Sequence, residues 1–468
     1  MPNQMHYFDE DSSQQYYFAE RALLDSGWAN KVLFSVKNGQ FHSFKINSSP
    51  TPKAITLSGP VLPTLANLHS HAFQRVMAGA AEVSLNPNDS FWSWRDLMYK
   101  VVSKLTPNNA CIIAKQLYID MLKAGYTQVG EFHYLHHDIG GKQYDERGEM
   151  SQQIITAADE SGIGLTLLPV LYSHSGFGGQ APNEGQARFI HSTDSYLALH
   201  EVCGAWLTNH PRHKLGICFH SLRAVTKSQI DTILQALNPN CSIHIHIAEQ
   251  HKEVQDCLNW SGQRPVEWLN HEIGLSERWC LVHATHLTDT ERQAIARSQA
   301  VAGLCPTTEA NLGDGIFPAV EFEKEQGRWG IGSDSHVSLS IVEELRTLEY
   351  GQRLRDQQRN RLYRSEQNSI GDNLFKQALI GGNQACDVSL GLTTGHRADF
   401  MVLDDTHPFI AASEPKDLLN RWLFACNENL IKDVYVAGKH TIKNFQHEHQ
   451  ESSRQAFMKV IKKVMYDA

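Results

Sequence analysis

The chain has 468 residues, a hydrophobic fraction of 41% and a formal net charge of −9. That length suffices for one large domain and a smaller one, and the acidity argues against nucleic-acid or anionic-membrane partners while leaving room for a local basic pocket. Nine scattered cysteines without a Cys-x-x-Cys pair argue against a disulfide framework and a thiolate zinc site, and with neither a long apolar run nor a basic-flanked signal core the cytoplasm is the expected compartment.

Near the N-terminus, Lys31–Val36 and Gln40–Ile46 alternate around Asn38-Gly39, the signature of a hairpin. Ala398–Leu403 and Asp433–Ile442 repeat that pattern, so the termini are expected to meet in one small β-sandwich domain formed by residues 1–61 and 390–468. The proline-punctuated run Gly59–Pro63 reads as a short buried strand whose far end carries His69 and His71. Strand residues two apart point to one side, so the two imidazoles are expected to face a common interior point, as a metal requires.

From there strand and helix alternate. A helix over Ala110–Ala124 stops at Gly125 and Tyr126–His133 follows as a strand; a second helix ends over Ile154–Ser161 before Gly162, and Ile163–Tyr172 is apolar enough to be buried on both faces. Further strands are expected at Leu215–His220, Ser242–Ile247, Trp279–His283, Ala300–Leu304 and Trp329–Asp334, and Thr288–Glu291 and Ser340–Glu343 fit the capping-box pattern of helix starts. Eight such units predict a closed (β/α)₈ TIM-like barrel over residues 62–389. No Gly-x-Gly-x-x-Gly or Walker-type loop follows any strand, which argues against nucleotide binding.

Barrel active sites form at the C-terminal strand ends, and titratable residues fall there: His69 and His71 on the first, His133 on the second, His220 on the fourth, His246 and then Glu249 on the fifth, His283 on the sixth and Asp334 on the eighth. Three neutral imidazoles and one carboxylate suit a divalent metal, and His69, His71, His246 and Asp334 are the assigned ligands, with Zn2+ the default and Fe2+ or Mn2+ possible from the same ligand types. His244 shares the parity of His246 but lies deeper, His336 lies in the following loop, and His136 and His137 read as loop surface.

Asn67–Arg75, Ser90–Arg95, Glu131–His137, His244–Gln250, Arg264–Leu269, Leu281–His286, Cys305–Gly315 and Gly332–His336 together give the sequence its likeness: it resembles the amidohydrolase superfamily over most of its length, in the branch of mononuclear deaminases. The resemblance implies hydrolysis of a small amidine bearing two carboxylates, N-formimino-L-glutamate, to N-formyl-L-glutamate and ammonia in L-histidine degradation; deamination of an aminopurine or aminopyrimidine is the neighbouring activity. Binuclear members bridge two metals from the fourth strand with a lysine or glutamate. Here that strand ends in Cys218-Phe219-His220 and its only lysine, Lys214, lies at the wrong end, so one metal per chain is expected. In the implied mechanism Asp334 accepts the proton of the attacking water, His283 orients the attack and Glu249 carries protons to the departing nitrogen. Two carboxylates on the substrate call for local positive charge, for which Arg95, among Trp92 and Trp94 in the loop after the first strand, and Arg223, three residues beyond His220, are the candidates; Gln74, Tyr134 and His220 supply further hydrogen bonds. A homodimer is the expected assembly.

Overall fold

The computed structural model describes residues 14–83, 91–364 and 369–467, apart from the side chains of residues 91–93. The polar residues 1–13, Ser90 and the side chains of Phe91, Trp92 and Ser93, which enter the sequence reading, lie outside the described residues.

Eight parallel strands follow one another in chain order: β1 (Leu65–Ser70), β2 (Tyr126–His133), β3 (Gly164–Leu171), β4 (Ile217–Ser221), β5 (Ile243–Ile247), β6 (Trp279–His283), β7 (Val301–Leu304) and β8 (Arg328–Ile331). They are buried almost throughout, as strands must be when helices cover one face and a filled barrel the other. The ring closes beyond the last residue of β8. There Ser70 and Asp334 form an isolated parallel bridge, and the Asp334 N–H donates to the His69 carbonyl at 3.0 Å. Closure of the barrel therefore places a carboxylate beside His69 on β1 and His71 just past its end.

Local signals set many of the boundaries. Thr106 caps the helix Pro107–Lys123 by accepting the Asn109 N–H at 3.3 Å, and Gly125, at φ +90°, turns the chain into β2. Thr288 and Glu291 form the full capping box. Ser340 caps its helix by accepting from the Glu343 N–H, but the Glu343 carboxylate turns to Ser338 instead of reaching back. At the bottom of the barrel the helix Ile370–Cys386 lies so close to β8 that a Cβ on Gly330 would sit 2.7 Å from the Gly382 nitrogen and 2.7 Å from Leu68 Cδ2. Among the described residues no helix is long and apolar enough to cross a membrane.

The two ends of the chain share a second, mixed sheet, in which the N-terminal strands Gln15–Leu24, Gly27–Lys37 and Gln40–Lys45 join the C-terminal strands Phe400–Leu403, Ile431–Val436 and Lys439–Lys443. Asn38 and Gly39, both at positive φ, make the hairpin turn. The link between the two halves corrects the reading of Gly59–Pro63. Val61–Pro63 pairs antiparallel with Phe400–Leu403 in this sheet, and a separate strand that starts at Leu65 carries His69, with His71 just past its end. Two apolar runs joined by Thr64 look like one in sequence; only their partners tell them apart. The chain then leaves the sheet, and its helix Gln450–Ile461 returns to the barrel, where Val460 and Val464 pack with Val101, Val102 and Ile113.

Candidate active site and metal centre

His69 ends the inward face of β1, and His71 follows it two residues on, before the short helical turn Ala72–Met77. Their Nε2 atoms converge with that of His246 on β5: His246 Nε2 is 3.1 Å from His69 Nε2 and 3.3 Å from His71 Nε2. Asp334 Oδ1 completes the group at 3.4 Å from His69 Nε2 and 3.3 Å from His71 Nε2. Donors around one tetrahedral cation at metal–nitrogen distances of about 2.0–2.1 Å sit roughly 3.3–3.4 Å apart, so the quartet has the spacing of one ion. The tautomers agree. His71 Nδ1–H donates to the Phe132 carbonyl at 2.8 Å and His246 Nδ1–H to the His220 carbonyl at 2.9 Å, which leaves each Nε2 as a bare lone pair. Two lone pairs at that distance repel unless a cation lies between them. Burial holds all three imidazoles below the ordinary histidine range, and neighbouring imidazoles lower His69 and His246 further, so they are neutral at pH 7, the form a metal ligand requires.

Beside this group stands a second one. His283 Nε2 lies 3.8 Å from Glu249 Oε1 and 3.8 Å from Asp334 Oδ2, while its Nδ1 lies 3.3 Å from Glu309 Oε1. Burial opposes charge on His283, but Glu249, the bond to Glu309 and Asp334 outweigh it and hold the imidazole well above its usual value. Glu249 is pushed up to about 7, chiefly by burial, with Asp334 and Glu253 adding to the shift and His283 opposing it. Non-glycine residues in the left-handed region cluster at these strand ends: Ala248 (φ 53°), His283 (φ 68°), Ala284 (φ 46°) and Asp334 (φ 45°). Such turns cost energy and persist because partners fix them. At β5 the partner is Glu253, which accepts the N–H groups of Ala248 and Glu249, each at 3.2 Å.

A cavity of about 70 Å³ joins these groups to the outside. His71, His246, Asp334, Glu249 and His283 line it together with Gln74, Arg95, Tyr134, His220 and Arg223. Gln74 donates to the Tyr134 hydroxyl at 2.9 Å, and the Arg95 guanidinium lies over the Tyr99 ring, 5.6 Å from its centroid. The buried Nε of Arg223 has no hydrogen-bond partner among the described residues. The arrangement brings metal-spaced donors, a buried carboxylate–imidazole pair and two guanidinium groups together at one cavity.

The profile of the Amidohydrolase family matches residues 61–441, four-fifths of the chain. The chain belongs to the amidohydrolase family. It is 56% identical over 446 residues to a formimidoylglutamate deiminase of Pseudomonas aeruginosa, an alignment covering 95% of this chain and 98% of that protein. The crystal structure of an amidohydrolase from Brucella melitensis matches with a TM-score of 0.92 at 45% identity, over 96% of this chain and 100% of that one. An adenosine deaminase from Xanthomonas campestris, solved with bound zinc, shares the fold at a TM-score of 0.79 and 17% identity, over 95% of this chain and 98% of that one.

Several sequence expectations need correction. Arg95 is on the helix Phe91–Val102, not in a loop. His136 and His137 are buried rather than on the loop surface, with His136 Nε2–H donating to the Val170 carbonyl at 3.0 Å and His137 Nε2–H to the Ile190 carbonyl at 2.8 Å. His133 ends β2 but its ring packs with His136, while Phe132 lies against His69, His71 and His246, at 4.2 Å between centroids from the last. His244 donates to the Ala385 carbonyl at 2.8 Å and His336 lies 2.9 Å from Ser333 Oγ, each away from the quartet. Sequence reasoning missed Glu131, whose carboxylate accepts the Ser70 hydroxyl and the Ala72 N–H, both at 2.6 Å, on either side of His71. It also missed Glu309 and Asp314. The latter accepts from Gln250, and burial and the nearby Glu249 push it up to about 9. The signal of these carboxylates in the chain was that all three lie within the stretches Glu131–His137 and Cys305–Gly315 that carry the family resemblance.

Proposed function

We propose that the protein hydrolyses N-formimino-L-glutamate to N-formyl-L-glutamate and ammonia, a step of L-histidine degradation. The observation that carries the reading is a single cavity in which three of the four metal-spaced donors, His71, His246 and Asp334, and the Glu249–His283 pair meet two arginines, in a chain whose net charge is −9. The near-full-length similarity to a formimidoylglutamate deiminase supports it. A neutral aminopurine would leave both guanidinium groups without a purpose.

A divalent cation held by His69, His71, His246 and Asp334, with zinc the first choice and Fe2+ the alternative, supplies Lewis acidity that brings the pKa of a water molecule toward neutrality. Asp334 takes the proton of the attacking water as the new C–O bond forms at the formimino carbon. His283, between Asp334 and Glu249, steadies the polar groups of the resulting tetrahedral adduct. Glu249, at about 7, can hold a proton at neutral pH and deliver it to a nitrogen of the adduct. Arg95 and Arg223 hold the glutamate end by its carboxylates, which turns the terminal nitrogen toward Glu249. That nitrogen leaves as ammonia when its C–N bond breaks, the adduct's hydroxyl gives its proton to the Glu249 carboxylate, and the C–O bond becomes the formyl carbonyl.

Proton NMR of the product mixture tests this, because N-formyl-L-glutamate and ammonia are distinguished from glutamate and formamide. Glu249→Gln is expected to slow ammonia release by at least roughly a hundredfold. Formamide and free glutamate as main products, or turnover of an aminopurine in preference to formiminoglutamate, would overturn the assignment.

A further inference from the structure

Glu309 is a buried carboxylate that the steps above do not use, and it reaches the reacting groups through one intermediary. It lies in the fourth position of the helix Pro306–Leu312, directly after β7, and its side chain extends to the neighbouring strand end. There Glu309 Oε1 accepts from His283 Nδ1 at 3.3 Å, and the same oxygen accepts the Cys305 N–H at 2.9 Å. We propose that Glu309 is a positioning residue that fixes the ring of His283 for the reaction, an inference that rests on the function proposed above.

The argument is geometric. His283 occupies a left-handed backbone position at the last residue of β6, and its ring faces two acids on one side. Rotation about its terminal side-chain bond would exchange Nδ1 for a carbon and carry Nε2 away from Glu249 and Asp334. A carboxylate oxygen only accepts, so the bond to Glu309 places a proton on Nδ1 and holds Nε2 toward both acids. The Cys305 N–H anchors the oxygen in turn, so a rigid part of the barrel rim, not a free side chain, sets the orientation.

Because both bonds end on one oxygen, two conservative variants separate orientation from charge. Glu309→Gln keeps that oxygen in reach and loses the charge; Glu309→Asp keeps the charge and withdraws the carboxylate by about 1.5 Å, one methylene. With formiminoglutamate as substrate, Glu309→Asp is expected to lower kcat about a hundredfold, with KM within about threefold and metal content unchanged, while Glu309→Gln stays within about fivefold of wild type. A downfield imidazole proton resonance, assigned to His283 Nδ1–H by its loss in His283→Asn, should persist in Glu309→Gln and vanish in Glu309→Asp. Higher kcat in the aspartate variant than in the glutamine variant, an effect confined to KM, or survival of the resonance in Glu309→Asp would overturn the proposal. If the wild type releases no ammonia from formiminoglutamate, the functional reading falls, and the resonance alone decides the role of Glu309.

Discussion

Replacing Arg223 by Met removes a guanidinium that lines the cavity, half-buried, with its Nε unpartnered among the described residues. Two unit charges about 4 Å apart interact by about 4 kcal/mol at an effective dielectric of about 20. Partial exposure screens such a pair, so roughly half of that, about 2 kcal/mol, is the expected loss, or about thirtyfold in kcat/KM. The loss should fall mainly on KM, because the carboxylate is held alike in substrate and transition state. Arg223→Lys should recover only part of it, since an ammonium restores the charge without the planar fork. Ammonia release at low ionic strength, with metal content measured in parallel, is the assay, and the deficit should shrink as salt is added. A kcat/KM within about threefold of wild type in Arg223→Met would refute the reasoning and move carboxylate recognition elsewhere.

Elemental analysis after dialysis should find one divalent metal per chain, and His246→Ala should lose it, because removing one of three imidazoles breaks the quartet. Two tightly held equivalents would refute the mononuclear site. Burial pushes Glu344 up to about 8, although it accepts the Thr307 hydroxyl at 2.5 Å and the Thr307 N–H at 3.0 Å. A carboxyl raised in the folded state contributes stability that is complete below its unfolded value, near 4.3, and is lost as pH climbs through about 8. Glu344→Gln cannot ionise, so its Tm should fall less than that of wild type between about pH 6 and pH 9; an equal or steeper fall would contradict the sign.

Short-range physics was legible in the chain. The barrel rhythm, the ends of β2 and β6, the hairpin at Asn38-Gly39 and the caps at Thr288 and Ser340 all rest on periodicity, glycine placement and side chains a few residues from the backbone groups they bind. His69, His71, His246, Glu249, His283 and Asp334 stood out for the same reason, since strand ends point at the barrel mouth whatever the loops do. Tertiary structure decided what depends on a partner. It assigned Val61–Pro63 to the terminal sheet, turned Phe132 rather than His133 toward His69, His71 and His246, and buried His136 and His137. It also paired Glu131 with Ala72, Glu309 with His283 and Glu344 with Thr307, across 59, 26 and 37 residues. Strand parity is set by the neighbouring strand, and the state of a buried carboxylate by whichever N–H groups the fold brings to it, so neither can be read from the residues beside it in the chain.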